Sequence, residues 1–374
     1  MRDSREHGSR APKLTPTPFT LNKKEHPAMS TIGREKDDNI HQAEQPAVAV
    51  PTSRHPQLSA TINSPTVGFV TALPEEFVAM RALLDDVTEH DIANDPALYT
   101  LGTLPSRDAE RSHPVALTLL GATATNGAAN GSANMKRSFP SIATLIMLGI
   151  AAGIPNVYRP ERHVRLGDIV VATQGVIDYD HVRVLDGSVE LRRPLSLPSM
   201  QLTRCADMLR TDELSDRRPW EQFLSVSRPR GLTGYGRPAE QTDIVHTGDG
   251  HRLDHPRRDR SGHRKGWPKV HYGMIGSADR AVWDATTRDQ LAARHDFLAV
   301  EMEGAGVGTS SFLNEVEWFV VRGISDYADS RSDGTWRKYA SLAAATYVRS
   351  LLAKCLPLDP GHNNHPRIAM ESLH

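Results

Sequence analysis

Cysteine is nearly missing: Cys205 and Cys355 are the only two among 374 residues, far apart and in no CxxC pair. That scarcity excludes a thiolate zinc site, argues against a disulfide framework and fits a reducing cytoplasm. Net charge is missing too, since 44 lysines and arginines face 45 aspartates and glutamates for a formal −1. Nothing global therefore draws the chain to a nucleic acid polymer or a membrane surface. No apolar stretch approaches the roughly 20 residues that span a bilayer, and the opening "MRDSREHGSRAPK" lacks the apolar run of a signal peptide. A GxGxxG fingerprint after the first strand-like run and a Walker A sequence are absent as well, which removes the dinucleotide-fold and P-loop readings.

What is present divides into a tail, a core and a short end. Residues 1–65 are rich in Pro, Ser, Thr, His and charge, without hydrophobic periodicity. They are expected to be a disordered extension, because such a segment buries too little apolar surface to offset its ordering entropy; Met29 is an alternative start. Residues 66–357 are expected to form one α/β domain, and 358–374, polar again, a flexible tail. Strand-like runs alternate with helical patterns through the core: "TVGFVTAL" then "PEEFVAMRALLDD", "HPVALTLLG" then "NGAANGSANMKRSF", "IATLIMLGI", "LGDIVVATQGVIDY", "KVHYGMIGS" then "AVWDATTRDQLAARH", "FLAVEM" then "EGAGVGTSSFLN", and "EWFVVRGIS". A last amphipathic helix from Trp336 brings Tyr339, Ala340, Ala343, Tyr347, Leu351 and Leu352 near one face. The pattern predicts a largely parallel, buried sheet flanked by helices. Residues 183–268 are less regular: "QLTRCADMLR" reads as a helix, and "HTGDGHRLDHPRRDRSGHRKGWP" as a basic surface insertion.

Three acids follow three strand-like runs: Glu76 after the first, Glu303 after "FLAVEM", and Asp326 after "EWFVVRGIS". Carboxyl ends of strands are where open α/β sheets bind ligands. Any one acid there is more often structural, since Asp and Glu favour the first turn of a helix. Three together, near the glycines of "GIAAG", favour a site.

"TALPEEF", "MLGIAAGIP", "VRLGDIVVA", "VEMEGAG" and "VRGISDYAD", in this order and spacing, resemble the nucleoside phosphorylase and methylthioadenosine/adenosylhomocysteine nucleosidase superfamily. The likeness spans nearly the whole core. "HYGMIGS", "RGISDYADS" and then Trp336, Tyr339 and Ala340 resemble more closely the phosphorylase-like domains of NACHT or NB-ARC immune receptors and antiphage proteins.

The resemblance implies a single-domain nucleoside-phosphorylase-like three-layer fold with a central mixed, largely parallel sheet. It implies cleavage of a purine N-glycosidic bond, in which the departing base must be protonated and the ribosyl cation stabilised. By resemblance Asp326 protonates the purine, Glu76 holds and deprotonates water, Glu303 accepts from the ribose hydroxyls and Met302 packs on the sugar. Glu301 is left a structural role. Ala151, Val282 and Ser325 are the base-binding candidates, with packing of the base open among Ala281, Val282 and Trp283. No basic residue precedes Arg81 in "ALPEEF", so water is favoured over phosphate as nucleophile. Because the immune-type relatives include enzymes acting on ATP, Arg257, Arg258 and Arg260 of the insertion are candidate phosphate contacts. The resemblance further implies a homo-oligomer, a defence role and no cofactor.

Competing readings are a methylthioadenosine or adenosylhomocysteine nucleosidase, a purine nucleoside phosphorylase, and a non-catalytic nucleotide-sensing or oligomerisation module; the intact trio of acids disfavours the last. His246, His251, His255, His263 and His271 match no common metal spacing and are expected in a solvated loop. Arg322, inside a strand pattern, is expected to be a buried ion-pair partner.

Overall fold

The computed structural model of the chain describes residues 64–192, 197–225 and 231–358, all within one compact unit. The expected extension and tail otherwise lie outside the described residues. Strands form where β-branched and apolar residues run together, because such side chains pack well on a buried pleated surface. In chain order they are β1 (Val67–Thr71), β2 (Asp85–Asp91), β3 (Leu98–Leu104), β4 (His113–Leu119), β5 (Thr144–Gly153), β6 (Ile169–Asp178), the hairpin β7 (Val182–Leu185) and β8 (Ser188–Leu191), the short pair β9 (Val245–His246) and β10 (Arg252–Leu253), β11 (Val270–Ser277), β12 (Ala299–Glu301) and β13 (Glu317–Asp326). The helices are α1 (Pro74–Arg81), α2 (Ala124–Ser138), α3 (Met200–Leu214), α4 (Pro219–Ser225), α5 (Arg258–Ser261), α6 (Ala285–His295), α7 (Gly304–Leu313) and α8 (Arg337–Leu352).

Nine strands make one mixed sheet in the order β12-β11-β6-β13-β5-β1-β4-β3-β2. β1, β4, β5 and β13 run in one direction, and β13 meets β6 antiparallel. The expected sheet flanked by helices is present, but it is not an open layer. Ala299 and Val300 of β12 pair with β11 on one side and with Gly153 and Ala152 of β5 on the other. Five strands thus close into a small barrel, from which β1, β4, β3 and β2 extend. The expected helix over "PEEFVAMRALLDD" stops at Arg81, and Asp85 onward becomes the exposed edge strand β2.

The last helix departs from the expected one-faced pattern. Every residue of α8 from Tyr339 to Leu352 is buried, because the helix runs between β13 and β5 on one side and α1, α3 and α4 on the other. Its alanines permit that fit, and a Cβ at Gly323 of β13 would collide with the Ala340 carbonyl. The cysteines correct another expectation. Cys205 of α3 and Cys355, just past α8, pair as a disulfide with their Cα atoms 5.8 Å apart, so cysteine usage no longer supports a reducing compartment. None of the helices is long and apolar enough to cross a membrane among the described residues.

The histidines of the insertion are not a solvated loop. Only His251 is exposed; His263 and His271 are buried and both meet Asp168 Oδ2, at 2.7 and 2.9 Å. The backbone N–H groups of Arg165 and Lys269 donate to the same carboxylate. Burial alone would raise its pKa, yet His263 and His271 hold it well below the usual range. The trio has metal-ligand chemistry, with ligand atoms within 4.8 Å of one another. A tetrahedral zinc centre, with bonds of about 2.0–2.1 Å, would set its ligand atoms about 3.3 Å apart. The observed separations are those of hydrogen bonds, and this knot fastens the insertion to β6 and β11.

Candidate functional site

β5 is the axis of the site. Its register sets Asp326 of β13 beside Ala152 on one edge and Val300 of β12 beside the same residue on the other. Because β12 runs antiparallel to β5, Glu301 and Glu303 come to the cavity that Asp326 of β13 and Glu76 of α1 also line from a strand of opposite direction. The three acids thus follow strands that do not all run in one direction.

An open cavity of about 200 Å³ is lined by Glu76, Ala151, Val282, Met302, Glu303, Ser325 and Asp326, together with Ala72, Leu73, Thr123, Tyr179, Arg280, Trp283 and Arg337, among others. Glu76 comes from the first turn of α1, where its side chain reaches back over the helix start. Its Oε2 accepts from the backbone N–H groups of Ala72 and Leu73 at 2.7 and 2.9 Å, and its Oε1 from that of Ile150 at 2.8 Å. Pro74 at the helix start needs no amide partner of its own, consistent with proline's place there.

Arg322 of β13 is the buried cation beneath the cavity. Its Nη2 pairs with Glu301, and with Glu303 Oε2 at 3.2 Å. A Cβ at Gly149 would strike both Glu76 Oε1 and Arg322 Nη1, so only glycine leaves room for this approach. Glu301 also accepts from the Glu303 and Gly304 amides at the start of α7, which is a structural role. Two buried carboxylates thus pair with one guanidinium, whose charge also reaches the buried Glu76. Burial pushes the Glu76 carboxyl up to about 7, against the opposing pull of Arg322 and the three amides. Burial also raises Glu303, Arg322 opposes it, and Glu301 adds repulsion. Arg322 itself is held above its ordinary value by the acids, despite its burial.

The start of α2 adds a second feature. The Ala124 N–H donates to Glu303 Oε1 at 3.1 Å and the Thr125 N–H to Asp279 Oδ1 at 2.8 Å, so carboxylates already occupy the first amides of this helix. Arg81 points away and pairs with Glu89 at 2.8 Å on the surface. Asp326 is half-buried; its Oδ2 accepts from Ser325 Oγ at 2.8 Å and its Oδ1 from the Ala328 N–H at 2.9 Å.

The candidate phosphate contacts stand elsewhere. Arg257, Arg258 and Arg260 do not line the cavity: Arg257 pairs with Asp259 and Arg258 with Glu240. Their clustering in sequence reflects an exposed turn around α5. The wall cations are Arg280 and Arg337, which sequence reasoning missed. Arg280 lies two residues before Val282 and Arg337 directly after Trp336, so both flanked segments already singled out. Tyr179 and Thr123, also on the wall, had no such marker.

The chain is 30% identical over 309 residues to a nucleotide-binding leucine-rich repeat (NLR)-like protein of Hyaloscypha variabilis, covering 78% of this chain and 29% of that one. It is 27% identical over 297 residues to the ATP nucleosidase Cap17 of Escherichia coli, covering 78% and 52%. The chain thus spans less than a third of the first of these relatives and about half of the second. In fold it is similar to S-adenosylhomocysteine nucleosidase from Streptococcus pyogenes, solved with 5-methylthiotubericidin, at a TM-score of 0.52 and 20% identity over 78% of this chain and 97% of that one. A family model described as the phosphorylase superfamily matches residues 66–356, and with that match over nearly the whole described core, the chain belongs to the phosphorylase superfamily.

Proposed function

We propose that the protein is a purine N-glycosidase that hydrolyses the bond between base and ribose, with water as nucleophile and no cofactor. The carrying observation is that Glu76, Glu303 and Asp326 line one cavity around Arg322 while carboxylates occupy the first amides of α2. An entering phosphate would meet anions where a phosphorolytic site needs donors and cations; a neutral water meets no such penalty.

In the proposed reaction a water oxygen bonds to C1′ as the C1′–N9 bond breaks. The water proton passes to Glu76, whose carboxyl, raised to about 7 by burial, is a stronger base than an ordinary glutamate. Asp326 delivers a proton to the departing purine at N7, held by the Ser325 hydroxyl and the Ala328 amide. Glu303 takes the ribose hydroxyls and Met302 packs on the sugar, and the net negative charge around Arg322 favours an oxocarbenium-like ribosyl centre. Ala151 and the backbone near Val282 face the base, with Trp283, half exposed at 53%, over the mouth.

The test is release of free base from purine nucleosides and nucleotides by the purified chain, with and without inorganic phosphate. Equal rates in both buffers and a free reducing sugar are expected; strict phosphate dependence with a ribosyl 1-phosphate product would overturn the hydrolytic reading. A homo-oligomer and a defence role belong to the same proposal, supported by the sequence resemblance to immune-receptor and antiphage domains.

A further inference from the structure

Asp326 stands on a turn that is strained and gripped from behind. Ala328, whose N–H donates to Asp326 Oδ1 at 2.9 Å, is buried and lies in the left-handed region at a φ of 52°. A residue with a side chain takes that conformation at a cost and keeps it only where the surrounding contacts over-determine it. Here they converge on Tyr327, between the two, which is 2% exposed. Its hydroxyl donates to Asp243 Oδ1 at 2.6 Å, and its carbonyl accepts from Nη1 of the buried Arg288 at 3.0 Å. Nη2 of the same guanidinium donates to the His246 carbonyl at 3.2 Å, and Asp329 Oδ2, just past Ala328, lies 3.3 Å from His246 Nδ1.

Asp243 and His246 belong to the irregular segment 183–268, and Asp243 is itself fastened. The Asn156 N–H donates to His163 Nδ1 at 3.1 Å, which leaves the ring proton on Nε2 for donation to His255 Nδ1 at 2.8 Å. His255 Nε2 then donates to the Asp243 carbonyl at 2.9 Å. Burial works to raise the Asp243 carboxyl, yet His255, the Tyr327 hydroxyl and Arg165 hold it below its usual range, so Tyr327 donates to an ionised acceptor. We propose that Asp243 and Tyr327 are positioning residues for proton delivery by Asp326: the insertion grips the Tyr327 hydroxyl and thereby holds the strained turn whose amide fixes the carboxylate of the acid. The inference rests on the glycosidase reading. On it the insertion supports the chemical step rather than the affinity for substrate.

The experiment is a double-mutant cycle on base release from adenosine, with wild type, Tyr327→Phe, Asp326→Asn and the two substitutions combined. Tyr327→Phe alone is expected to lower kcat about tenfold with KM within about twofold, as loss of one charge-assisted hydrogen bond behind the acid predicts. On the Asp326→Asn background, where no proton is delivered, the same substitution should cost less than about twofold. Asp243→Ala should match Tyr327→Phe, whereas Asp243→Asn, which keeps an oxygen to accept from the hydroxyl, should stay within about threefold of wild type. The inference is overturned if Tyr327→Phe leaves kcat unchanged, if it raises KM alone, or if it costs as much on the Asp326→Asn background as on the wild type. Should no purine nucleoside or nucleotide release its base, the glycosidase reading fails, and calorimetric titration with adenine decides the positioning claim. Adenine binding weakened by Tyr327→Phe in the wild-type background but not on Asp326→Asn supports it; equal effects in both backgrounds, none included, refute it.

Discussion

Glu76 gives the most exacting prediction, because one buried carboxyl controls both a rate and a stability. Its rise from an ordinary 4.5 to about 7 amounts to about 3 kcal/mol, at about 1.36 kcal/mol for each tenfold change in proton affinity. Its folded pKa lies above the unfolded one, so the folded state binds the extra proton between these values. The associated stabilisation is fully present below 4.5 and is lost as pH rises through about 7. Urea unfolding of the free protein is expected to show stability falling by about 3 kcal/mol across that window, relative to Glu76→Gln, which cannot titrate. Glu303, raised in the same direction, remains in both proteins and cancels in the comparison. The catalytic limb runs the other way: the base must be ionised, so kcat/KM should fall about tenfold per pH unit below about 7, reaching roughly a hundredth of its plateau by pH 5. Glu76→Gln should lie about 10² to 10⁴ below the wild-type plateau and lack this acid limb, so its deficit against the wild type narrows as pH falls. A kcat/KM profile flat down to pH 5, or parallel stability curves for the two proteins, would refute the argument that burial outweighs Arg322 and the three amides.

Asp326→Asn should lower kcat by about 10² to 10⁴ while circular dichroism stays that of the wild type, because the substitution removes a proton and little volume; wild-type turnover would dismiss Asp326 as the acid. Gly149→Ala should destabilise the fold by about 1–3 kcal/mol and depress turnover, since the new methyl must displace Glu76 or Arg322, as thermal unfolding and initial rates will show. Asp168→Asn should cost about 3–5 kcal/mol by leaving the histidine knot short of an acceptor, measurable by chemical denaturation. Reduction of the Cys205–Cys355 disulfide should lower the melting temperature yet leave kcat/KM within about twofold, because α8 rises about 1.5 Å per residue and carries Cys355 far from Arg337.

Local patterns carried much of this molecule. "VGFVT", "TLIMLGIAAG" and "EWFVVRGISD" form strands because each is dominated by apolar residues, many of them β-branched, and offers almost no polar face to water. The acids just beyond them, the structural place of Glu301 and the burial of Arg322 were legible for the same local reason, a charge inside an apolar run needing a partner. β2 was not legible, since "DDVTEHD" is an edge strand exposed along most of its length and has no apolar alternation to betray it.

Tertiary structure decided the rest. Closure of the sheet depends on which two edges the three residues of β12 meet, and a segment that short carries no preference for one neighbour over another. That closure brings Glu301 and Glu303 to Arg322 from the opposite direction to Asp326, and it sets how many acids share one cation. The histidines and the disulfide were hidden because their partners lie far away in sequence: Asp168 is 95 residues from His263, and Cys205 is 150 from Cys355. Charge misled for a related reason. Arg257, Arg258 and Arg260 stand out as a run, yet two of them are neutralised by acids close at hand, while isolated Arg280 and Arg337 acquire meaning only where the fold brings two distant segments to one wall. Sequence records how much charge a segment holds; the field at a site depends on the distances between charges, and only the folded chain sets those.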